Sequence, residues 1–185
     1  MEDDIHYVQQ VLAGEKQAYK YIINTYKNAL YATILRMAKN PQTAQDLLQE
    51  AFIKVYEQLG KYDQKGSFKS WLYRVAINHC LDQFRKKNIQ IAQVGEIHLV
   101  SDTTPEVVFL KKEKSRELER LVNALPEDER LILLLRYANE LSYGEISETL
   151  CIPLADVRNK LHRAKKKLRR HAQEGGYFHD LSERG

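Results

Sequence analysis

Apolar residues recur along most of the chain at steps of three and four positions, the spacing of a helix with one buried face. Between residues 16 and 37 this stripe comprises Tyr19, Ile22, Tyr26, Leu30, Ile34 and Met37. Asn40-Pro41 is expected to end this helix and begin the next, because proline fits the first helical turn. The following stripe comprises Ala44, Leu47, Leu48, Ala51, Phe52, Val55, Tyr56 and Leu59. The pattern predicts an all-α fold.

A loop at 60–66, rich in Lys, Asp and Gln, separates these helices from a further helix. Ser67 is placed to cap this helix, since a serine oxygen can accept a hydrogen bond from a free N–H of the first turn. Its apolar positions are Phe68, Trp71, Leu72, Val75 and Phe84. The basic run at 85–88 suits a helix C-terminus, so we predict that the helix ends near Asn88.

The helical period is lost between about 89 and 104 and returns near Glu106. We therefore predict two small helical domains joined by a flexible linker. The predicted ranges are 1–90 for the first domain, 91–108 for the linker, 109–172 for the second domain and 173–185 for a C-terminal tail. Within the second domain, Leu125-Pro126 marks a break before a helix that begins at Glu127.

A capping box begins the most informative passage of the second domain. In Ser142-Tyr143-Gly144-Glu145 the serine can accept from the glutamate's N–H while the glutamate accepts from the serine's own. The short helix that follows runs to Leu150, a turn occupies 151–153, and a further helix extends from Leu154 to His171. Two helices joined by such a tight turn predict a helix-turn-helix.

The second helix of this motif has a basic face. Its apolar positions Val157, Leu161, Ala164 and Leu168 are expected to point inward. The outward and flanking positions are then Arg158, Asn159, Lys160, His162, Arg163, Lys165, Lys166, Lys167 and Arg170. Arginine and asparagine match guanine and adenine edges in the major groove, whereas lysine suits phosphates. A solvated basic helix end is the alternative, but the capped helix, turn and basic face together favour DNA binding.

A second basic region lies between residues 61 and 87. The formal net charge of +4 does not by itself indicate nucleic-acid binding, but here the cations are clustered. They are Lys61, Lys65, Lys69, Arg74, Arg85, Lys86 and Lys87, opposed only by Asp63 and Asp82. Aromatic residues are interleaved with them, and cations beside aromatic faces suit single-stranded nucleic acid. For Trp71, packing in the core is an equally open interpretation.

Other features argue against membrane, redox and metal functions. No apolar run reaches the roughly eighteen residues of a membrane span, and the acidic start lacks the layout of a secretory signal. Cys80 and Cys151 are far apart and lie in apolar-periodic segments, so we expect two reduced core thiols of a cytosolic protein. The six histidines show no metal-like spacing, and no cofactor is expected.

Three segments resemble bacterial sigma factors of RNA polymerase. Residues 46–52 (Asp-Leu-Leu-Gln-Glu-Ala-Phe) are similar to their polymerase-binding helix, and residues 70–78 with Asp82 and Arg85 are similar to their promoter-melting and minus-ten-reading helices. Residues 125–137, the capped helix and residues 157–164 are similar to their minus-thirty-five domain. The resemblance covers nearly the whole chain in order. Lack of the extra regions of the primary sigma factors points to the compact extracytoplasmic-function group (group 4) of that family.

The resemblance implies an alternative sigma factor, not an enzyme, that binds core RNA polymerase and promoter DNA and initiates transcription of a stress or envelope-response regulon. It places polymerase binding at Asp46, Gln49, Glu50 and Lys54. Minus-ten DNA, duplex and melted, would contact Lys61, Lys65, Phe68, Lys69, Trp71, Arg74, Asn78, Arg85 and Lys86. Minus-thirty-five DNA would contact Arg158, Asn159, Lys160, His162, Arg163 and Lys166.

The resemblance also implies an anti-sigma factor as partner, and a chain that is monomeric when free. Such a chain would be cytoplasmic, associated with the nucleoid when active, and held at the membrane where its anti-sigma factor is tethered there. The recognition helix departs from the common pattern: residues 155–160 read Ala-Asp-Val-Arg-Asn-Lys where the family often has Gly-Thr-Val-Lys-Ser-Arg. The promoter sequence is therefore not implied.

Two other functions compete with this interpretation. A conventional helix-turn-helix regulator would explain the second domain, and dimeric binding to palindromes without polymerase would identify it. A nuclease would need convergent carboxylates around a metal ion. Asp46 and Glu50 are one helical turn apart on an otherwise polar surface, and no phosphate-binding Gly-x-x-x-x-Gly-Lys motif occurs. The regulator would leave the region of Phe68, Trp71 and Arg85 as mere core and surface, and cleavage of DNA by the isolated protein in Mg²⁺ would identify the nuclease.

Overall fold

The computed structural model describes residues 2–94 and 120–174, with side chains at 3–86 and 120–171. Every regular element in these two ranges is a helix, which confirms the predicted all-α fold. We call residues 2–94 the first unit and residues 120–174 the second unit. Residues 95–119, which include most of the predicted linker, and the predicted tail from residue 175 lie outside the described residues.

Four α-helices form the first unit: α1 (Glu2–Leu12), α2 (Tyr19–Ala38), α3 (Pro41–Gln58) and α4 (Phe68–Val94). Short 3₁₀ turns at Lys16–Ala18 and Leu59–Lys61 precede α2 and follow α3. The predicted α2–α3 boundary is confirmed. Lys39 ends α2 in the left-handed conformation (φ 56°), and Oδ1 of Asn40 accepts a 2.9 Å hydrogen bond from the N–H of Thr43.

The start of α4 follows the prediction, but its end does not. Ser67 Oγ accepts a 3.1 Å hydrogen bond from the N–H of Ser70 and so caps the helix. The predicted end near Asn88 is wrong, because the helix continues to Val94. Loss of an apolar stripe removes a packing face without preventing helical hydrogen bonds. No glycine or proline occurs between Phe68, the first residue of α4, and Gly95.

The first unit is held together by the apolar stripes predicted for α2, α3 and α4. Contacts between α2 and α3 and between α3 and α4 bury these stripes. The fully buried positions that form this core include Ile22, Leu30 and Ile34 of α2, Ala44, Ala51 and Val55 of α3, and Leu72, Ala76 and Ile77 of α4. This packing fixes the outward faces of α3 and α4 relative to each other.

The second unit begins with a helical turn at 120–123 and continues with α5 (Glu127–Tyr137), α6 (Tyr143–Leu150) and α7 (Leu154–Glu174). All five residues from Leu131 to Leu135 are buried in α5. A helix that is apolar on every side must be covered on every side. Leu133 packs with Val122, Leu125 and Ala164 of its own unit, whereas Leu131, Ile132 and Leu135 join the larger core shared with the first unit.

The two units are packed together, an arrangement that the sequence left open. Helix α4 contacts α6, and α2 contacts α5. A buried polar group completes the contact: Thr33 Oγ1 donates to Asn139 Oδ1 at 2.8 Å, and Asn139 Nδ2 donates to the Tyr73 hydroxyl at 2.8 Å. The units therefore share a continuous apolar core with a specific polar contact inside it.

Candidate nucleic-acid interface

Helices α6 and α7 form the predicted helix-turn-helix, and the capping box is confirmed. Glu145 N–H donates to Ser142 Oγ at 3.2 Å, and Ser142 N–H donates to Glu145 Oε2 at 2.7 Å. Cys151 ends α6 in the left-handed conformation (φ 53°). Ser147 Oγ then donates to the carbonyl of Ile152 at 2.6 Å, which ties the turn to α6. These local bonds fix the direction in which α7 leaves the turn.

The inward and outward faces of α7 are those that the sequence predicted. Val157, Leu161 and Ala164 are buried, and Leu168 packs against the smaller core. Five of the six residues predicted to contact minus-thirty-five DNA are exposed, namely Arg158, Asn159, His162, Arg163 and Lys166. The DNA major groove is wide enough to admit an α-helix, and arginine and asparagine side chains match the base edges inside it.

The sixth residue, Lys160, lies against α5. Its ammonium group forms a hydrogen-bonded ion pair with Asp128, and only 25% of its side chain is exposed. This hydrogen bond lowers the pKa of the Asp128 carboxyl, against a smaller opposing effect of burial. Lys167 makes a similar 2.9 Å pair with the buried carboxylate of Glu129. Two lysines of α7 thus attach the helix to α5.

A shallow concavity beside α7 contains a residue that the sequence analysis did not select. It is lined by Tyr143, Arg158, Asn159, Leu161, His162 and Lys165. The guanidinium of Arg136 lies 5.4 Å from the centre of the Tyr143 ring and so supports one side of it. The position of Tyr143, directly after the N-cap serine of the first motif helix, was a signal that could have identified it.

A polar groove between α3 and α4 collects several of the predicted minus-ten residues. We call this the basic groove; it is lined by Lys54, Gln58, Lys61, Trp71, Arg74, Val75, Asn78, His79 and Asp82. Gln58 and His79 were not selected from the sequence, although Gln58 lies one turn from Lys54 and from Lys61, and His79 directly follows Asn78. The groove has a volume of about 360 Å³. It brings together three cationic side chains and two amides from segments up to 24 positions apart in sequence.

The remaining predicted cations lie outside this groove. Lys65 pairs with Asp63 at 3.4 Å in the loop before α4, and Arg85 pairs with Asp82 at 3.1 Å. Lys86 is exposed on α4. Lys69 lies 3.6 Å from Glu140 of the second unit. All four side chains are at the surface, where salt and water screen such pairs.

The two aromatic residues predicted to face DNA are in the core. Phe68 is 3% exposed and Trp71 is 7% exposed, and their stacked ring centres are 5.8 Å apart. Tyr62 covers Phe68 at 5.3 Å and Trp71 at 5.5 Å. Neither ring can stack on a base in this arrangement. Their places on the apolar stripe of α4 explain the burial, so core packing describes Trp71 here.

The predicted polymerase-binding residues form an exposed face on α3. Asp46 accepts a 3.0 Å hydrogen bond from Gln42, and Lys54 pairs with Glu57 at 2.9 Å. Glu50 lies 3.0 Å from Nε2 of His79, which links this face to α4. The side chains of Gln49 and Ile53 are also exposed, and Ile53 is 60% exposed. Sequence analysis missed Ile53, although an isoleucine off the apolar stripe was visible in it.

The expectation of two core thiols is half wrong. Cys80 is buried, and burial raises the pKa of its thiol to about 12. Cys151 is exposed, because it ends α6 in a turn instead of continuing the apolar stripe. Within residues 2–94 and 120–174, no group of three or more potential ligands could hold a metal ion. No helix in the same ranges is long and apolar enough to cross a membrane.

Two family models match the chain, one in each unit. Sigma-70 region 2 matches residues 22–89, a range that contains α3, the basic groove and most of α4. Sigma-70 region 4 matches residues 115–168, a range that contains α6 and most of α7. The order of the two matches is the order of the two units along the chain.

Two solved structures have a fold similar to that of this chain. CnrH in complex with the cytosolic domain of CnrY has a TM-score of 0.67 at 18% identity and covers 93% of this chain and 98% of that one. RpoE in complex with the anti-sigma factor NepR from Bartonella quintana has a TM-score of 0.66 at 20% identity. This match covers 82% of this chain and 94% of the RpoE chain.

Curated relatives extend over almost the full length. The ECF RNA polymerase sigma factor SigW of Bacillus subtilis is 32% identical over 178 residues, which cover 90% of this chain and 95% of SigW. The RNA polymerase sigma-H factor of Pseudomonas aeruginosa is 33% identical over 176 residues, which cover 89% of this chain and 91% of the sigma-H factor. The chain therefore belongs to the extracytoplasmic-function sigma factors, the alternative sigma factors that act in bacterial transcription initiation and are not enzymes.

Proposed function

We propose that this chain is a group 4 sigma factor that directs core RNA polymerase to the promoters of a stress or envelope-response regulon. The exposed basic face of α7, set by the capping box and the turn at Cys151, is the observation that carries this proposal. In a helix-turn-helix the second helix enters the major groove with its N-terminal residues at the base edges. Arg158 and Asn159 occupy that end of α7.

Minus-thirty-five recognition would use different residues for bases and for phosphates. Arg158, Asn159 and Arg163 have the donor geometry that reads bases in the major groove. His162 and Lys166 lie beside them and suit the sugar-phosphate backbone. Lys160, paired with Asp128, would position α7 and reach the DNA only by exchanging that carboxylate for a phosphate.

Minus-ten recognition would use the basic groove and the loop before α4. Lys61, Arg74 and Asn78 line the groove and could hold a strand by its backbone, while Lys65, Arg85 and Lys86 add cations on either side. Residues 61–70, which include the loop before α4 and its first turn, resemble the family segment that captures a flipped base. Flipping costs a few kcal/mol of stacking, which a close pocket and neighbouring cations must offset. Phe68 and Trp71 would contact a base only after rearrangement, because both are buried.

Polymerase binding would use the exposed face of α3. Asp46, Gln49, Glu50 and Lys54 present charges and an amide, and Ile53 adds an apolar contact in their midst. Protein interfaces commonly combine an apolar centre with a polar rim. The contact between Glu50 and His79 would place this face in register with the basic groove, so that polymerase and promoter are held by one rigid pair of helices.

An anti-sigma factor is the expected regulator. An apolar groove of about 480 Å³ runs between the units, and its lining includes Met37, Leu81, Phe84, Leu134, Leu150 and Ile152. Such a groove suits the apolar face of a partner helix, and a solved relative of the same fold is bound to an anti-sigma factor. We further propose a monomeric free chain in the bacterial cytoplasm. It would join the nucleoid when active and the membrane when a tethered anti-sigma factor holds it.

The decisive experiment is transcription from a library of random promoters by bacterial core polymerase, with and without this protein. We expect initiation that depends on the protein, from templates that share a two-part motif at fixed spacing. Gln49→Ala should reduce initiation and core-polymerase affinity, because it removes an exposed amide from the proposed docking face. Gln45→Ala is the matched control, since Gln45 is equally exposed on α3 but outside the proposed set.

Two other results would contradict the proposal. Tight dimeric binding to a palindromic duplex, without stimulation of polymerase, would identify a conventional helix-turn-helix regulator. Cleavage of DNA by the isolated protein in Mg²⁺ would identify a nuclease. Equal loss of initiation in Gln45→Ala and Gln49→Ala would refute the α3 docking face while leaving the family function intact.

A further inference from the structure

A histidine and a carboxylate meet where α3 and α4 pack together at the surface. Nε2 of His79 lies 3.0 Å from Oε2 of Glu50, although the two residues are 29 positions apart in sequence. The His79 side chain is 17% exposed, whereas the Glu50 side chain is 50% exposed. The histidine is therefore held within the contact between the helices, and the carboxylate keeps one side open to a partner.

The carboxylate determines which nitrogen of the histidine carries a proton. An ionised carboxyl group only accepts hydrogen bonds, so the hydrogen in this contact must be on Nε2 of His79. Nδ1 is then the nitrogen to which a second proton adds. Neutral His79 holds Glu50 by a hydrogen bond alone, whereas protonated His79 also places a positive charge directly beside that carboxylate.

Glu50 belongs to the α3 face that is proposed to bind polymerase, and this face is acidic. It contains the carboxylates of Asp46 and Glu50, whereas its one cation, Lys54, is paired with Glu57 at 2.9 Å. Interacting protein surfaces are usually complementary in charge, so the face fits a cationic surface of polymerase. A positive charge on His79 opposes that attraction, because it offsets the charge of Glu50.

His79 also lines the basic groove that is proposed to hold promoter DNA. The charged groups that line this groove with it are Lys54 of α3, Lys61 of the following turn, and Arg74 and Asp82 of α4. Helices α2 and α6 also pack against α4, but their described residues contribute no charged group to the groove. A proton on His79 therefore adds a positive charge to a groove in which cations already outnumber carboxylates.

We propose that His79 is a positioning residue that holds Glu50 toward polymerase and that, on taking up a proton, weakens polymerase binding and strengthens the binding of promoter DNA. This inference rests on the proposed function, because it links the α3 face to the basic groove. Histidine is the side chain that ordinarily changes charge between pH 5 and 8. A mild fall in pH therefore changes both binding surfaces in opposite directions through a single ring.

The affinity of the full chain for core polymerase, measured by fluorescence anisotropy between pH 6 and 8, tests the positioning role. His79→Gln keeps an N–H donor for Glu50 but takes up no proton. Relative to this variant, the affinity of the unsubstituted chain should fall about threefold from pH 8 to pH 6, as expected for one charge pair at the surface. His6→Gln is the matched control, since His6 is exposed on α1 outside both surfaces, and it should follow the unsubstituted chain. Coincident profiles of His79→Gln and the unsubstituted chain would overturn the proposal.

A second measurement uses promoter DNA and the opposite sign. With saturating core polymerase, the affinity for fork-junction DNA carrying the selected promoter should rise about threefold from pH 8 to pH 6, relative to His79→Gln. A ratio between the two proteins that stays constant with pH would indicate a merely structural role and overturn the proposal.

The hydrogen bond itself is tested at pH 8 with a ring that cannot donate. His79→Phe should lower core-polymerase affinity, and His79→Gln should restore it, because only the amide replaces the Nε2–H donor. Equal affinities of the two variants would remove the positioning role. If Gln49→Ala still lowers core-polymerase affinity in that case, the α3 docking face stands and only the role of His79 fails. If Gln49→Ala and both His79 variants leave the affinity unchanged at every pH, the docking face fails as well.

Discussion

Ser67 and Glu145, 78 positions apart, share a hydrogen bond of 2.8 Å that joins the caps of two helices. Ser67 caps α4 through the N–H of Ser70, and Glu145 completes the capping box of α6 with Ser142. One carboxylate therefore serves a local purpose within the helix-turn-helix and a long-range purpose between the units. It accepts hydrogen bonds from the Ser67 hydroxyl and from the Ser142 N–H.

Removal of the Glu145 charge should reduce the stability of the fold at neutral pH. It should also remove part of the dependence of that stability on pH in the acid range. Burial by itself would raise the pKa of Glu145, but hydrogen bonds from the Ser142 N–H and the Ser67 hydroxyl outweigh it and lower the pKa overall. A lowered folded-state pKa stabilises the fold above the ordinary glutamate pKa of about 4.3. That contribution is lost as the pH falls through the pKa that Glu145 has in the folded protein.

We expect Glu145→Gln to lower the free energy of unfolding at pH 7 by less than about 1 kcal/mol, since the group is partly exposed and glutamine can still serve a capping box. The difference from the unsubstituted chain should shrink as the pH falls below about 4. Urea unfolding between pH 3 and 7 measures both effects. Glu148→Gln is the control, because Glu148 is exposed on the same helix; identical profiles for the two variants would contradict the assignment.

Replacement of a base-reading arginine should weaken promoter binding strongly. We expect Arg158→Ala or Arg163→Ala to cost about 1–3 kcal/mol of promoter affinity and to relax sequence preference near the minus-thirty-five element. Both side chains are exposed on the outward face of α7. Arg169→Ala provides the comparison, since Arg169 is exposed on α7 outside the proposed set. Binding of the polymerase complex to labelled promoter measures these changes, and an unchanged footprint would remove α7 from the groove.

Lys86 should act through phosphate alone. Because each neutralised phosphate releases counterions, Lys86→Ala should lower the slope of log affinity against log salt by about one unit, with sequence preference unchanged. Titrations of promoter binding at several salt concentrations give the slope. Lys20→Ala should leave it unchanged, since Lys20 is exposed on α2 and is not part of the basic groove. A shift of sequence preference in Lys86→Ala would instead indicate a contact with a base.

The two cysteines should differ sharply in reactivity. Burial raises the pKa of the Cys80 thiol to about 12, so almost none of it is thiolate at pH 8. Cys151 is exposed. Ellman's reagent at pH 8 should therefore modify one thiol per chain quickly and the second only after unfolding. Cys151→Ser should abolish the fast phase; rapid modification of that variant would show that Cys80 is accessible.

Helices α2 to α7 were predictable because their formation depends on neighbouring residues, whereas the sequence analysis did not identify α1. The stripes of α2, α3 and α7, the cap at Asn40 and the capping box at Ser142 all follow from local hydrogen bonds and from apolar spacing. The outward face of α7 was predicted for the same reason. The end of α4 was not, because the basic residues at 85–88 favour a helix end without enforcing one.

Sequence by itself determined that α2 to α7 form, which side of most of them is buried and which side of α7 carries the cations. Tertiary structure alone decided that α5 is covered on both sides, that Phe68 and Trp71 are closed beneath Tyr62, and that Asn139 joins α2 to α4. The physical reason is the distance along the chain over which each kind of interaction acts. Local periodicity shows that an apolar or polar group needs a partner, but only the packing of distant segments determines which partner it finds.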